Sequence, residues 1–338
     1  MPRIYTSLCK LLDIEVPIIQ APISGAANPG LVAAVSNAGG LGTFAMHNRT
    51  PEGIRELVEE AHRLTSRPFC ANFILLPNVS TEERLQVCLD AGVNVVQFFW
   101  EEPYQFVNQV HESGALVMYT VPSAEAARTA VDAGVDIIVA QGWEAGGHVR
   151  GEVATMALVP RVVDAVPSTP VVAAGGIADG RGLAAALALG AAGVVMGTRF
   201  LASEEAIAHP IHQERLMEAR ETDTLRSTVF ESVDWPNAPG RALRNTTIER
   251  WEDAGRPAIG NKPGEEVVLG HTPDGRPIGR YLSLTPVRET TGDIEAMGLW
   301  AGQSVGLVDR VLPVEAIIQG VLDEAAEVLF DRVKMIIV

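Results

Sequence analysis

The sequence predicts an α/β fold, a (β/α)8 or TIM barrel, from the order and character of its apolar segments. Eight short apolar runs recur at intervals of about 20–35 residues, which is the room that a strand and its following helix need. Each run is continuously apolar instead of alternating, as expected for parallel strands that are buried on both faces. The predicted strands are residues 16–20, 41–45, 69–73, 94–98, 116–120, 136–140, 170–174 and 193–197.

Helical patterns fill the intervals between these runs. Apolar residues recur there with the spacing of one helix face, and several segments end in a glycine of the kind that terminates a helix before a strand. The predicted helices are residues 51–64, 81–91, 123–133 and 182–189. Eight such units favour a closed barrel, and a six-stranded, doubly wound sheet is the alternative that the pattern leaves open.

The composition and the apolar periodicity of the sequence change after Phe200. Residues from about 205 to 290 are polar and rich in Arg, Pro and Thr, and apolar periodicity returns at 311–329, which predicts a final helix. We therefore predict that residues 1–210 and 291–338 form the barrel. Residues 211–290 are predicted to form an inserted, mainly helical subdomain after strand 8, on the substrate side of the barrel mouth.

The composition excludes several classes of protein. Of the 338 residues 47% are hydrophobic, which is too many for a disordered chain. The formal net charge of −16, from 26 Lys and Arg against 42 Asp and Glu, would repel nucleic acid and anionic membrane surfaces. Asp13 and Glu15 stand where a signal peptide needs its apolar core. We expect a cytoplasmic protein with neither nucleic acid nor a membrane as partner.

The residues absent from the strand ends restrict the chemistry, because catalytic groups of a (β/α)8 barrel lie at the carboxyl ends of its strands. Lysine occurs only at Lys10, Lys262 and Lys334, away from every predicted strand end, which argues against Schiff-base and Walker A chemistry. No carboxylates and histidines are spaced as metal ligands are, so no metal is expected. Glu101 and Glu144 remain as a weak candidate for the carboxylate pair of a glycosidase.

Glycine-rich turns follow the last two predicted strands, in AAGGIADGRG (173–182) and VMGTRF (195–200). Barrels hold a phosphate at this position on backbone N–H groups, and Thr198 would add a hydroxyl donor. Ordinary loop geometry is the alternative explanation of either turn alone. Two turns after adjacent strands favour a phosphate site, since glycine lets the backbone approach the anion closely.

A wall of small residues follows the first predicted strand, in QAPISG (20–25), where Pro22 favours an extended backbone. A flat ring can lie against this wall, with its heteroatoms bonded by backbone groups, Asn72 and Gln141. A phosphate beside a flat polar ring describes flavin mononucleotide, FMN. The GxGxxG fingerprint that would indicate FAD or NAD on a Rossmann unit is absent from the sequence.

His148 is the best catalytic candidate. It follows a glycine turn after the sixth predicted strand, so an imidazole that can serve as base or proton donor near neutral pH stands at the barrel mouth. The alternative is a loop histidine that is bonded to a backbone carbonyl. The other histidines, among them His47, lack this setting, and most of them are expected at helix surfaces or caps. Further candidates, for an apolar wall beside the ring or for ordinary packing, are Phe99, Trp100 and Trp143.

Four segments together resemble the nitronate monooxygenase family, also called 2-nitropropane dioxygenase-like proteins. They are APISG, GWEAGGHVRG, PVVAAGGIADGRGLAAALALGAAGVVMGTRFLAS and WAGQSVGLV, and they occur in order over nearly the whole chain. The resemblance implies an FMN-containing TIM barrel with an inserted helical domain over the flavin.

The resemblance also implies roles for individual residues. It makes His148 the active-site histidine and brings Gln303 back to the flavin region. Family members usually have Met at the position of Ile23, and some have Lys at the position of Thr120. By the same resemblance FMN lies against Ala21, Pro22, Ile23, Asn72, Gln141, Gly146 and Gly147, and its phosphate is held by Gly175, Gly176, Gly197 and Thr198.

The reaction implied by the resemblance is oxidation of an alkyl nitronate or nitroalkane by O2 to a carbonyl compound and nitrite. His148 would orient the anion or remove the α-proton of a neutral nitroalkane. The same motifs resemble those of NAD(P)H:quinone reductases and flavin-dependent enoyl-acyl-carrier-protein reductases, so an NAD(P)H-dependent flavin reductase is the alternative. A flavin-binding module without turnover is the non-enzymatic alternative. The expected partners are a small anionic substrate and O2, and a homodimer is left open.

Overall fold

The eight predicted strands form one parallel sheet that curls into a barrel. The structure of the protein, a computed structural model, describes residues 4–76, 79–232 and 235–332. The strands before residue 200 are β1 (Ile18–Gln20), β2 (Gly42–Ala45), β3 (Phe69–Leu75), β4 (Val95–Trp100), β5 (Leu116–Val121), β6 (Ile137–Gln141), β7 (Gly147–His148), β8 (Val171–Ala174) and β9 (Gly193–Met196). All except β7 pair in the order β1-β9-β8-β6-β5-β4-β3-β2, and a parallel bridge between Ile19 and Leu41 closes the ring. The predicted barrel is confirmed.

Helices connect the barrel strands, and polar side chains cap several of them. Thr50 Oγ1 accepts a hydrogen bond from the N–H of Gly53 (3.2 Å), which pairs one of the groups that a first helical turn leaves free. The five helices that the sequence predicts are confirmed with small shifts of their ends. No helix within the described ranges is long and apolar enough to cross a membrane. The helices are α1 (Ser7–Leu12), α2 (Pro29–Asn37), α3 (Pro51–Leu64), α4 (Glu82–Asp90), α5 (Tyr104–Glu112), α6 (Ala124–Asp132), α7 (Thr155–Ala165), α8 (Gly180–Ala188), α9 (Thr198–Leu201), α10 (Pro210–Glu218), α11 (Thr246–Asp253) and α12 (Val314–Glu327).

The barrel interior changes from apolar to polar along the strands. Leu8 of α1 belongs to the same buried cluster as Cys70 of β3 and Met118 of β5. Two residues further along these strands stand Asn72 and Thr120, which are also buried. Because side chains two positions apart lie on the same face of a strand, these polar groups face the interior nearer its carboxyl end. The fold thus places a polar layer above an apolar plug.

The segment after the barrel is of mixed structure, and the expectation of a mainly helical insert is wrong. Besides α10 and α11 it contains short antiparallel strands. One hairpin turns at Asp274-Gly275, where Gly275 has a φ of +83°, and an Asp-Gly pair is a hairpin signal that the helical interpretation overlooked. The strands are β10 (Thr224–Ser227), β11 (Gly240–Leu243), β12 (Val268–His271), β13 (Pro277–Gly279) and β14 (Thr291–Gly292).

A small sheet of order β10-β11-β7 joins this segment to the barrel. Gly240 and Arg241 of β11 pair antiparallel with His148 and Gly147 of β7. The N–H of Val149 also donates to the carbonyl of Pro239 (2.9 Å). Strand pairing therefore fixes the loop that carries the predicted catalytic histidine.

Candidate active site

A cavity of about 220 Å³ lies at the carboxyl ends of the barrel strands. Its lining includes His148 and every residue that the resemblance puts against FMN or its phosphate, whereas Gln303 is not part of it. These residues come from segments that are far apart in the sequence, and the barrel brings them together at one place. They are Ala21, Pro22, Ile23, Asn72, Gln141, Gly146, Gly147, His148, Gly175, Gly176, Gly197 and Thr198.

Gln303 itself is not part of the cavity lining, although its neighbours Gly302 and Ser304 are. Its N–H donates to the carbonyl of Glu144 (2.9 Å). The segment around residue 303 therefore lies at the cavity, where the resemblance puts it, but Gln303 contributes a backbone contact to the loop before His148.

Among the described residues that line the cavity there is neither Glu101 nor Glu144. The carboxylate of Glu144 instead accepts hydrogen bonds from the N–H and the hydroxyl of Thr155 at the start of α7 (2.9 and 3.0 Å to Oε2). The glycosidase alternative therefore loses its carboxylate pair, because both carboxyl groups of such a pair must face the substrate.

The turns after β8 and β9 form a narrow cradle at one side of the cavity. Gly175 and Gly176 have φ angles of +103° and +73°, and a Cβ on Gly175 would lie 3.0 Å from the carbonyl oxygen of Gly142. Helix α9 begins at Thr198 without a side-chain cap, so its first N–H groups are available to a ligand. The hydroxyl of Thr198 accepts a hydrogen bond from Gly302 N–H (3.0 Å) and retains its own proton to donate. This donor set suits a phosphate group.

An arc of polar side chains lines the other strand ends, from His47, two residues after β2, to Thr120 of β5. Asn72 pairs in register with Gln97, and Gln97 Nε2 donates to Thr120 Oγ1 (3.0 Å). Gln97 Oε1 and His47 Nδ1 are buried and have no hydrogen-bond partner among the described residues. Such atoms are rare unless a ligand or water pairs them. With the phosphate cradle, the arc fits a flavin, whose ring has a hydrogen-bonding edge.

The ring of His148 is held by hydrogen bonds at both nitrogens. Nδ1 lies 3.1 Å from the carbonyl oxygen of Ala238, and Nε2 lies 3.1 Å from Ser283 Oγ. Because a carbonyl only accepts, Nδ1 carries the proton and Nε2 accepts the hydroxyl proton of Ser283. Burial lowers the pKa of His148 to about 4, so the ring is neutral at neutral pH. The two interpretations of His148 thus coexist, since the ring bonds a backbone carbonyl and faces the cavity.

Aromatic side chains enclose this histidine. The ring centroid of Trp235 lies 3.9 Å and that of Trp300 5.2 Å from the centroid of His148, and both tryptophans line the cavity. Trp100 does not line it but packs edge-on against Trp235 (4.8 Å) from a backbone with a φ of +86°, a strained conformation for a non-glycine residue. Of the aromatic candidates from the sequence, only Phe99 lines the cavity; Trp143 packs under the guanidinium of Arg226 (4.2 Å).

His47 is a cavity residue that was not a site candidate from the sequence, because it lacks the glycine turn that precedes His148. Its side chain is buried at the cavity wall, and burial, followed by the nearby charges of Arg49 and Arg84, lowers its pKa to about 4. Its position two residues after the end of β2 was the available signal. Gln97 was missed as well, although it stands two residues after the apolar Val95, as Asn72 stands two residues after Cys70.

Comparison with known proteins identifies the family. A sequence model of the nitronate monooxygenase family matches residues 5–82 and 77–324. The chain is 32% identical to a probable nitronate monooxygenase of Staphylococcus saprophyticus, over 97% of this chain and 99% of that protein. It is 37% identical to an octahydro-indene-carboxyl-CoA dehydrogenase of Mycobacterium tuberculosis, over 75% of this chain and 70% of that protein.

A solved structure of FabK from Thermotoga maritima is also similar, with a TM-score of 0.83 and 35% sequence identity. The match covers 98% of this chain and 99% of the FabK chain. With the family match over almost the whole barrel, the chain belongs to the nitronate monooxygenase family and is a flavin-dependent oxidoreductase.

Proposed function

We propose that the protein binds FMN and oxidises alkyl nitronates with O2 to carbonyl compounds and nitrite. The observation that carries this proposal is the neutral, doubly hydrogen-bonded ring of His148, which faces the cavity that also contains the phosphate cradle. Bound flavin supplies the redox chemistry, since it accepts electrons from a substrate and returns them to O2. A single cradle among the described residues, at Gly175, Gly176, Gly197 and Thr198, supports FMN, which has one phosphate, over FAD.

The residues around His148 position the substrate and exclude water. The Ala238 carbonyl fixes the tautomer, so Nε2 presents its lone pair toward Ser283 and the cavity. A bound anion favours the protonated form of a neighbouring imidazole, because opposite charges attract more strongly in a site with little water. His148 therefore orients an anionic nitronate. When a neutral nitroalkane enters, the Ser283 hydroxyl gives up its hydrogen bond and the freed Nε2 lone pair takes up the α-proton.

The experiment that tests the proposal measures O2 consumption and nitrite together, with FMN-loaded protein and propane-2-nitronate. The overall reaction converts two nitronate ions and one O2 into two molecules of acetone and two nitrite ions, which balances oxygen and charge. We expect O2 uptake with nitrite as a product. Protein that carries FMN but consumes no O2 with nitronates of several sizes would overturn the proposal.

The second candidate is an NAD(P)H-dependent reductase on the same scaffold. The similarity to the CoA-thioester dehydrogenase, at 37% identity, favours it. Oxidation of NADH or NADPH with a quinone or an enoyl thioester as acceptor, without activity on nitronates, would establish this candidate in place of the first.

A further inference from the structure

The lining of the cavity contains no ionised side chain among the residues that the structure describes. Neither Asp, Glu, Lys nor Arg contributes to it. Its polar side chains are amides, hydroxyls and the two histidines, and burial holds the pKa of His47 and of His148 at about 4. The remaining wall is apolar and includes Ile74, Leu201 and Trp300.

The charged groups next to the cavity are engaged by other parts of the protein. Arg241 donates from Nη2 to the Trp143 carbonyl (3.0 Å) and from Nη1 to Thr224 Oγ1 (3.2 Å). Arg150 donates to the Trp100 carbonyl (2.5 Å), and the carboxylate of Glu144 is held at the start of α7. None of these three side chains lines the cavity.

We propose that the site selects nitronates whose remaining part is uncharged and apolar, and that it rejects nitronates with a second negative charge. The inference rests on the proposed function. A carboxylate on the substrate tail would lose its hydration in the cavity without gaining a cation, and burying an unpaired charge is strongly unfavourable. The net charge of −16 adds a long-range repulsion of dianions.

The test compares two nitronates of the same shape, those of 3-methyl-1-nitrobutane and of 3-nitropropionate. The first carries an isopropyl group where the second carries a carboxylate. With FMN-loaded protein at constant ionic strength we expect kcat/KM for the isopropyl substrate to exceed that for the carboxylate by about hundredfold. A ratio below about tenfold would overturn the inference, and any larger ratio supports it.

A binding measurement separates this inference from the proposed function. If neither nitronate is oxidised, the proposed function fails, and the selection is then read from dissociation constants. Anaerobic flavin difference spectra report binding of the two parent nitro compounds without turnover. Tighter binding of 3-methyl-1-nitrobutane by about tenfold or more supports the selection, and anything less contradicts it.

A cation placed in the cavity provides the reciprocal test. Thr120 is buried in the polar arc, and Thr120→Lys would bring an ammonium group to the cavity lining. Thr120→Met is the control, because the methionine side chain has nearly the length of lysine but carries no charge. Both variants lose the hydrogen bond from Gln97. We expect the Lys variant to shift selectivity toward the carboxylate nitronate by about tenfold relative to the Met variant. Equal selectivity in the two flavin-loaded variants contradicts the inference. If either variant fails to bind flavin, the comparison of the two nitronates on the unmodified protein decides whether the inference holds.

Discussion

His148 Nε2 lies 3.1 Å from Ser283 Oγ, although the two residues are 135 positions apart in the sequence. His148 belongs to a loop of the barrel, and Ser283 belongs to the segment that follows the barrel strands. The segment also supplies β11, which pairs with the strand that carries His148, and Trp235, which packs against its ring. This segment therefore fixes the orientation of the His148 ring at the cavity.

Loss of the Ser283 hydroxyl is expected to impair catalysis more than flavin binding. Ser283→Ala removes the hydrogen bond to Nε2, so the ring is less well oriented, and we predict a fall in kcat/KM for nitronate of about tenfold. Ser283→Thr keeps a hydroxyl and serves as the matched control. Steady-state O2 consumption measures the effect, and unchanged kinetics in the Ala variant would remove Ser283 from the account.

Removal of the imidazole is expected to abolish most turnover and to leave FMN bound. His148→Ala deletes the group that orients the substrate or accepts its proton, and positioned acid–base groups contribute about 10²–10⁴-fold to rate. The exposed, paired His111 offers a control, since His111→Ala changes a histidine outside the cavity. Nitroalkane turnover and flavin absorbance are measured side by side. Full activity of the His148 variant would exclude His148 from the mechanism.

The pH dependence of kcat/KM is expected to lack a histidine inflection near pH 6.5. Burial lowers the pKa of His148 and of His47 to about 4, so both rings stay neutral in the free enzyme as the pH rises above that value. We predict a flat profile for propane-2-nitronate between about pH 6 and 9. An inflection close to 6.5 that disappears in His148→Ala would show that the ring is more hydrated than the structure indicates.

The phosphate cradle is testable by a glycine substitution with a matched control. Gly175→Ala forces a side chain onto a backbone with a φ of +103° and places its Cβ 3.0 Å from the Gly142 carbonyl oxygen. Gly190→Ala imposes similar strain (φ +94°) outside the cavity. We predict that the first variant weakens FMN binding by about tenfold or more, whereas the second lowers only thermal stability. Equal FMN affinities would contradict the assignment of the cradle.

Acid is expected to destabilise the fold through its buried histidines. Burial lowers the pKa of the fully buried His212 to about 4, whereas the unfolded chain keeps an ordinary value near 6.5. The unfolded state therefore binds more protons below pH 6.5, and stability is lost as the pH falls toward 4. His212→Leu should reduce the stability difference between about pH 7 and 4.5 by about 2–3 kcal/mol in urea titrations. The control is the exposed His271→Leu; equal pH dependence in both variants would contradict the prediction.

The barrel and most of the site were predictable because local pattern and topology agree. Strands that are buried on both faces appear in the sequence as apolar runs, so the barrel strands could be predicted. Because the carboxyl ends of parallel strands meet at one mouth, the positions of Asn72, Gln141, Gly175 and Thr198 at strand ends predict that these residues lie together. His47 was missed although it stands at a strand end, because no glycine turn presents it at the mouth as one presents His148.

The part after the barrel was less predictable for a physical reason. Its strands are only two to four residues long, which leaves no periodic signal, and β11 pairs with β7 far away in the sequence, whereas only the β12–β13 hairpin is local. Trp235 and Ser283 reach the cavity only through these contacts, so neither was a candidate. The neutral state of His148 likewise depends on burial by side chains that the sequence does not place next to it.

The most direct test of nitronate oxidation is anaerobic reduction of the FMN-loaded protein, monitored by the absorbance of oxidised flavin at about 450 nm. The proposed function predicts that an alkyl nitronate bleaches the flavin, that NADH and NADPH do not, and that O2 restores the absorbance. Bleaching by NADH or NADPH alone, with no change on addition of nitronate, would contradict nitronate oxidation and identify a reductase.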